Sequence, residues 1–236
     1  MKFMQINYKL NKIIDLLPSD IFKEWSPHLE WVDLKQGQVL HEPGRIVSHL
    51  HFPLTAIVSW IRLLENGDAT QVAMTGKEGV IGIYLLMGAA HTHNQAVVQK
   101  AGTAIRLRLS VVLGSFNQGN PVQQLFLRYT QTLITQMSQG AVCHRHHTLE
   151  RQLCSMLLLM LDRQDDDSIG LTHESMANLL GVRREGVTQA AKRLMNDGIL
   201  SYSRGRITVL NRAALAARAC ECHSVIRDEE RRLLTP

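Results

Sequence analysis

The stretch LGVRREGVTQAAKRLMNDGIL, residues 180–200, carries apolar side chains at helical spacing. Val187, Ala191 and Leu194 follow one another at intervals of four and three residues, which places them on one face of a helix. The opposite face then carries guanidinium, carboxylate, hydroxyl and amide groups, which suit the base edges in a DNA major groove. The predicted base-reading residues are Arg184, Glu185, Thr188 and Gln189.

The flanking residues predict a helix-turn-helix. Thr172 is a suitable N-cap for a short helix over residues 173–180, and Gly181 suits the turn that ends it. The second helix starts near Arg184 and stops at residues 196–198, Asn-Asp-Gly. A short helix, a tight turn and a longer helix make the helix-turn-helix pattern.

A small hairpin is predicted after the second helix. Residues 199–202 and 206–210 alternate around Ser203-Arg204-Gly205, which is typical of the wing in a winged helix-turn-helix. Asn211 would then cap a closing helix that continues through Leu234.

Basic residues concentrate in the same region. Residues 181–212 contain seven basic and two acidic side chains, which is the electrostatic pattern of a surface for a polyanion, although a solvated basic surface without a partner is the alternative. The seven are Arg183, Arg184, Lys192, Arg193, Arg204, Arg206 and Arg212. The predicted phosphate-contacting residues are Thr172, Arg183, Lys192, Arg204 and Arg206.

The amino-terminal half is predicted to be β-rich. Short apolar runs separated by turn signals fill residues 31–110, and Asn66-Gly67-Asp68 between two of them is a hairpin signal. Repeated strands at this spacing favour an antiparallel sandwich or roll.

A long helix is predicted from Pro121 to about residue 147. Its apolar residues recur at alternating intervals of four and three, as in a helix that packs along a partner helix, and Gly140 suggests a close crossing. A single helix lying on the sheet is the alternative. The predicted dimer interface consists of Val122, Phe126, Tyr129, Leu133, Gln136 and Gly140.

Composition limits the class of protein. The 236 residues, 45% of them apolar, suffice for one large or two modest domains. No signal peptide or run of about 20 apolar residues is evident, so we expect a cytoplasmic protein without membrane contact. The four cysteines show no CxxC pair, which favours reduced thiols.

The sequence LTHESMANLLGVRREGVTQAAKRLMNDGIL, followed by RGRITVLNRAAL, resembles the winged helix-turn-helix of the Crp/Fnr family. The upstream pieces GQVLHEPG and HFPLTAIVS and the long helix resemble the rest of that family. The resemblance implies an α+β fold: a cyclic-nucleotide-binding-like β-roll over residues 1–119, a dimerisation helix over 120–147 and a winged helix-turn-helix over 148–236.

The resemblance also implies a function. A homodimer would bind double-stranded DNA at a palindromic operator and regulate transcription without enzymatic activity, and RNA polymerase is a further candidate partner. Arg184 and Glu185 match the family's recognition helix, whereas Gln189 stands where an arginine is frequent. The base preference at that position is therefore expected to differ.

The family's common effectors are not expected here. Members that bind cyclic AMP carry a Gly-Glu pair and an Arg-Ser/Thr-Ala motif, whereas this chain has Gly82-Ile83 and Asn94-Gln95-Ala96. A phosphate without a charge-assisted partner binds poorly. Members with an iron-sulfur cluster use cysteines near the amino end, and none precedes Cys143.

Histidines leave alternatives open. The motifs His49-Leu50-His51 and His91-Thr92-His93 would each place two imidazoles on one face of a strand, and three more histidines lie within residues 144–147. A metal- or haem-responsive regulator of the same fold, a cupin-type metalloenzyme and a protein-interaction module are the alternatives. The run Cys220-Glu221-Cys222-His223 is predicted not to form a joint metal site, because helical residues two apart point about 200° apart. No metal site is predicted.

Overall fold

The computed structural model describes residues 7–89 and 91–235. The amino-terminal half is a β-roll of two antiparallel sheets, as the alternating apolar runs predict. One sheet has the strand order β1-β7-β3 and the other β2-β6-β4-β5. The strands are β1 (Glu30–Leu34), β2 (Val39–His41), β3 (His49–Pro53), β4 (Ile57–Leu63), β5 (Ala69–Thr75), β6 (Gln95–Lys100) and β7 (Gly102–Arg108).

The hairpin between β4 and β5 forms at the predicted turn. Gly67 adopts a φ of +87°, and the Asn66 side chain accepts a hydrogen bond from the Asp68 backbone N–H at 3.0 Å. A positive φ strains residues with a Cβ, which explains the glycine at this position.

Helices pack on the roll. Asn11 is fully buried: its Oδ1 accepts from the N–H groups of Ile13 and Ile14, and its Nδ2 donates to the carbonyls of Pro53 and Gly79. These bonds fasten the first helix to the sheets. The helices here are α1 (Lys12–Asp15), α2 (Ser19–Trp25), α3 (Leu109–Phe116) and three short 3-10 helices, Tyr8–Leu10, Ser26–His28 and Ile83–Met87.

The predicted long helix is confirmed as α4 (Asn120–His146), and most of the residues predicted to meet a partner are covered by the chain itself. The first five of the six predicted interface residues are buried against the chain's own core rather than presented to a second copy, and a Cβ on Gly140 would meet nothing within 4 Å, so no close crossing occurs within the chain. The β-roll covers this seam because the same spacing serves any apolar surface. The buried five are Val122, Phe126, Tyr129, Leu133 and Gln136.

The carboxy-terminal half is a helical domain with a small three-stranded sheet, in the order β8-β10-β9. The closing helix is not continuous to Leu234 as predicted. Ala219 and Cys220 adopt extended backbone and divide it into two helices. The elements are α5 (Leu149–Asp162), β8 (Ser168–Ile169), α6 (His173–Leu180), α7 (Arg184–Asn196), β9 (Leu200–Ser203), β10 (Arg206–Val209), α8 (Arg212–Arg218) and α9 (Glu221–Leu233).

The two halves share contacts. Ile57 and Met74 of the β-roll belong to the apolar core of the carboxy-terminal half, and α9 returns to pack along α4. Arg163 lies between the halves and pairs with Glu78 of the roll and with Glu230 of α9. The helix-turn-helix therefore rests on the roll rather than on a free linker.

All four cysteines are free and buried. Within the described residues, no helix combines the length and apolar character needed to cross a membrane.

Candidate DNA-binding surface

The turn between α6 and α7 forms as predicted. The Thr172 hydroxyl accepts from the Ser175 N–H at 3.0 Å and caps α6, and Gly181 ends that helix at a φ of +64°. A Cβ at Gly181 would also come within 2.6 Å of the Thr70 hydroxyl on β5. Both the backbone conformation and the contact with the roll therefore require glycine here.

Helix α7 turns its apolar face inward. Val187, Ala191 and Leu194 are buried as predicted, and Ala190 joins them. The four predicted base-reading residues, Arg184, Glu185, Thr188 and Gln189, all lie on the outer side and are exposed. Lys192, predicted to contact phosphate, is exposed on the same side.

Arg184 is available for a new partner. Its side chain is 65% exposed, and its guanidinium Nε lies 3.9 Å from a carboxylate oxygen of Glu174, which is also exposed. Such an exposed pair at the distance limit contributes little free energy. The guanidinium can therefore turn toward a base edge with little loss of stability.

Thr188 is more constrained, and the structure reveals a contact that sequence reasoning missed. Its hydroxyl donates to the Arg184 carbonyl at 3.0 Å and lies 3.1 Å from His173 Nδ1. The His173 ring stacks on Tyr202 of β9, with 4.3 Å between ring centroids. Burial, followed by the nearby charge of Arg184, lowers the pKa of His173, so the ring is neutral at pH 7. His173 thus connects α6, α7 and the wing, and no motif in the sequence indicated this contact.

The wing is a two-residue hairpin. β9 and β10 pair in antiparallel register, and Arg204 and Gly205 form the turn with φ values of +49° and +76°. Two positive φ angles are typical of a type I′ turn, which matches the twist of the strands. Arg206 follows the turn, is exposed and donates to the Ser168 hydroxyl at 3.4 Å.

The basic surface is smaller than the sequence suggested. Arg193 binds Glu150 at 2.6 Å, and Arg212 pairs with Asp162. Burial would raise the pKa of Asp162, but the hydrogen bond from His223 and the charges of Arg212 and Arg163 hold it below its ordinary value. Both arginines therefore have carboxylate partners within the domain. Of the seven basic residues, Arg184 has only the 3.9 Å pair with Glu174, and the other four form no ion pair among the described residues: Arg183, Lys192, Arg204 and Arg206.

A cavity of about 680 Å³ lies between the β-roll and α4, lined by side chains that include Arg62, Tyr84, His91, Asn94 and His144. No carboxylate lines it among the described residues. Ile83 is buried and does not line this cavity.

The histidine motifs behave differently from each other. His49 and His51 lie on β3 as predicted, whereas His91 and His93 lie in the segment before β6, so the predicted strand is wrong there. The centroid of the His51 ring lies 5.8 Å from the centroid of the His41 ring. Burial lowers the pKa of His41 to about 4 and that of His51 to about 3, so both are neutral at pH 7.

The prediction that Cys220 and Cys222 do not share a metal site assumed that both lie on one helix, and this assumption is wrong. Cys220 precedes α9 as its N-cap, with φ and ψ of −90° and 166°, so the helical angle between Cys220 and Cys222 does not apply. The structure instead gathers both thiols with two residues from the end of α4. These four residues are Cys143, His147, Cys220 and Cys222, whose potential ligand atoms all lie within 4.8 Å of one another.

Taken together, the capped α6, the outward polar face of α7 and the adjoining basic hairpin define a winged helix-turn-helix joined to a β-roll. Comparison with known proteins agrees. Residues 151–218 match the model of the Crp-like helix-turn-helix domain. A search of curated proteins by sequence found no match.

Solved structures match over most of the chain. A protein from Eubacterium rectale assigned to the Crp/Fnr family of transcriptional regulators superposes with a TM-score of 0.70 at 18% identity, covering 89% of this chain and 98% of its own. FixK2 from Bradyrhizobium japonicum superposes with a TM-score of 0.70 at 16% identity, covering 81% of this chain and 98% of its own. CLP, a c-di-GMP responsive global regulator from Xanthomonas campestris, superposes with a TM-score of 0.63 at 13% identity, covering 81% of this chain and 99% of its own.

The chain therefore carries a Crp-like helix-turn-helix domain within the fold of the Crp/Fnr transcriptional regulators. The resemblance read from its sequence is confirmed.

Proposed function

We propose that this protein binds a specific double-stranded DNA sequence as a homodimer and regulates transcription. The observation that carries the proposal is the surface of α7: exposed Arg184, Glu185 and Gln189 stand over a fully buried apolar face, beside a wing that presents Arg204 and Arg206. Guanidinium and amide groups in this arrangement suit base edges, and the wing arginines suit phosphates.

A second copy of the chain is proposed to cover the outer face of α4. Leu127 and Ile134 are seven residues apart and about half exposed, and Ala141, also exposed, follows after seven more. Apolar residues at this spacing form the seam of paired helices. This interface replaces the predicted one, whose buried residues serve the roll. A two-fold dimer would place its recognition helices about 34 Å apart, one turn of DNA.

Each of the three predicted segments of the chain is assigned one role in this function. Effector sensing is assigned to the roll within residues 1–119, dimerisation to the helix within 120–147 and DNA binding to the domain within 148–236. The cavity between the roll and α4 is the proposed effector site. Its described lining offers no carboxylate for a ribose, Asn94 stands where the resemblance implies a phosphate-binding arginine, and Arg62 donates to the His93 carbonyl, so cyclic AMP is not the expected ligand. CLP, which responds to c-di-GMP, illustrates a different effector on the same fold. Calorimetry with cyclic AMP should detect no binding at micromolar concentrations.

The DNA-binding proposal is tested by comparing Arg184→Ala with Arg206→Ala. After selection of the preferred operator, Arg184→Ala should weaken binding by about 1 to 3 kcal/mol and reduce preference at one base pair of each half-site. Arg206→Ala should weaken binding to all sequences alike and lower the slope of log affinity against log salt by about one unit for each phosphate that is no longer neutralised. Titrations on matched and mismatched operators at several salt concentrations separate the two effects.

Arg193→Ala is the matched control, because Arg193 lies on the same helix but binds Glu150. Its base preference should equal that of the wild type. If Arg184→Ala lowers affinity equally for every sequence, or if the wild type selects no sequence at all, the assignment of this surface is wrong.

A further inference from the structure

A cluster of three thiols and an imidazole joins the end of α4 to the start of α9. Cys143 and His147 are one helical turn apart at the carboxyl end of α4, and Cys220 and Cys222 flank the first residue of α9. The three cysteines are buried and His147 is half-buried. Among the described residues, this is the one group of three or more histidines, cysteines or carboxylates whose ligand atoms come close enough to share a metal ion.

The distances fit a tetrahedral ion. Cys143 Sγ lies 3.5 Å from Cys220 Sγ, and Cys222 Sγ lies 3.5 Å from His147 Nδ1. Ligands at about 2.3 Å for sulfur and 2.0 Å for nitrogen, arranged tetrahedrally, are themselves separated by about 3.5 to 3.8 Å. The two close pairs already have nearly this separation.

The surrounding groups orient the ligands. His147 Nε2 lies 3.3 Å from a carboxylate oxygen of Glu221, so it can donate there and leave Nδ1 directed at the thiols. A carboxylate behind a histidine is the usual outer-shell partner of a metal-binding imidazole. The Gln152 side chain donates to the carbonyls of Cys143 and His147, and the Ser155 hydroxyl lies 3.0 Å from Cys220 Sγ. These bonds hold both ends of the cluster in place.

We propose that Cys143, His147, Cys220 and Cys222 bind one Zn²⁺ ion. A set of three thiolates and one imidazole with four protein ligands is typical of a structural zinc site, which is closed to substrates. Zinc is favoured over hard cations because thiolates are soft ligands. Binding releases protons from the thiols, so the affinity for zinc increases with pH.

The ion would join two parts of the regulator. Cys143 lies on the long helix and His147 directly follows its last residue, whereas Cys220 and Cys222 follow the helix-turn-helix and its wing. The DNA-binding elements lie between the two pairs in the chain. Zinc would therefore fix the DNA-binding domain against the long helix. Only this consequence depends on the proposed function, because metal binding itself can be measured without DNA.

The test uses the full-length chain, stripped of metal under reducing conditions and titrated with Zn²⁺ against a chromogenic chelator. One zinc per chain is expected. Co²⁺ should give the visible absorption of tetrahedral thiolate coordination. Cys143→Ser and Cys222→Ser should each weaken zinc binding by roughly 100-fold or more. Cys154→Ser is the matched control, because Cys154 is also buried but lies outside the cluster, and it should bind zinc as the wild type does.

Glu221→Gln guards against a folding artefact, because Glu221 is exposed and its replacement preserves side-chain shape. It should retain the fold by circular dichroism while weakening zinc binding by about 10- to 100-fold. Added zinc should also raise the unfolding midpoint of the wild type but not of Cys222→Ser.

Absence of stoichiometric zinc binding by the folded, reduced wild type would overturn the proposal. So would equal affinity in Cys222→Ser, or a Cys143–Cys220 disulfide that forms under the same reducing conditions. Sequence-specific DNA binding by a protein that binds no zinc would overturn the metal site and leave the proposed function standing. Zinc binding by a protein that selects no DNA sequence would support the metal site and overturn the proposed function.

Discussion

Arg204 occupies an unusual backbone conformation for an arginine. At a φ of +49° it is the one non-glycine residue of the described chain with a positive φ, and it lies at the tip of the wing. A left-handed conformation disfavours residues with a Cβ by about 1 kcal/mol. The sequence tolerates this strain at a position where a guanidinium can reach a phosphate.

Arg204→Gly should therefore separate stability from function. Glycine adopts this φ without strain, so the free energy of unfolding should stay the same or rise by up to about 1 kcal/mol. DNA affinity should fall, and its salt dependence should weaken because the protein neutralises one phosphate fewer. Denaturant unfolding and DNA titration on the same sample provide the comparison. A destabilised variant with unchanged DNA affinity would refute the role assigned to Arg204.

At the scale of elements, α4 has one face buried against the roll and an opposite face that exposes apolar side chains, which is the face proposed to meet a second copy. Leu133 is buried against the roll, whereas the next residue, Ile134, is about half exposed. Ile134→Glu should abolish dimerisation, because two carboxylates would face each other across the seam, while the monomer keeps its fold. Sedimentation equilibrium at micromolar concentration should then give the mass of one chain.

Leu210→Glu is the control for the charge change, since Leu210 is similarly exposed but lies in the DNA-binding domain after the wing. Its mass should remain that of a dimer. A dimeric Ile134→Glu protein would show that another surface forms the interface.

At the scale of the whole molecule, Arg163 connects the two halves. Its side chain is 2% exposed, and its Nε donates to Glu78 of the roll at 2.8 Å while Nη2 bonds Glu230 of α9. Burial raises the pKa of Glu230 to about 7, although the charge of Arg163 acts in the opposite direction. The charged form of Glu230 is therefore stabilised by Arg163.

Arg163→Met should lower the free energy of unfolding by about 3 to 5 kcal/mol near pH 7.5, because it leaves two buried carboxylates without a cation. Burial raises the pKa of Glu230 above that of the unfolded chain, and in the variant Arg163 no longer opposes that rise, so the folded state binds more protons and the deficit shrinks as the pH falls toward 5.5. Urea unfolding at both pH values measures the change.

Lys77→Ala provides the comparison, because Lys77 also links the two halves, through Asp165, which is exposed. Its effect should stay below about 1 kcal/mol. Equal losses in the two variants would mean that burial of the Arg163 triad makes no difference.

The helix-turn-helix and its wing could be read from the sequence because their determinants are local. The caps at Thr172 and Asn211, the turn at Gly181 and the spacing of Val187, Ala191 and Leu194 all act over a few residues. Cap, turn and periodicity each need only neighbouring residues to form, so the pattern carries the structure with it.

Tertiary structure decided which partner each side chain meets. The spacing along α4 showed an apolar face but could not show whether the roll or a second copy would cover it. Arg193 and Arg212 add to the basic charge of the region in the sequence, but the fold places Glu150 and Asp162 beside them. Cys143 and Cys220 lie 77 residues apart, and an extended residue before α9 brings their thiols together. Contacts between distant residues depend on how elements pack, and sequence periodicity contains no information about the packing partner.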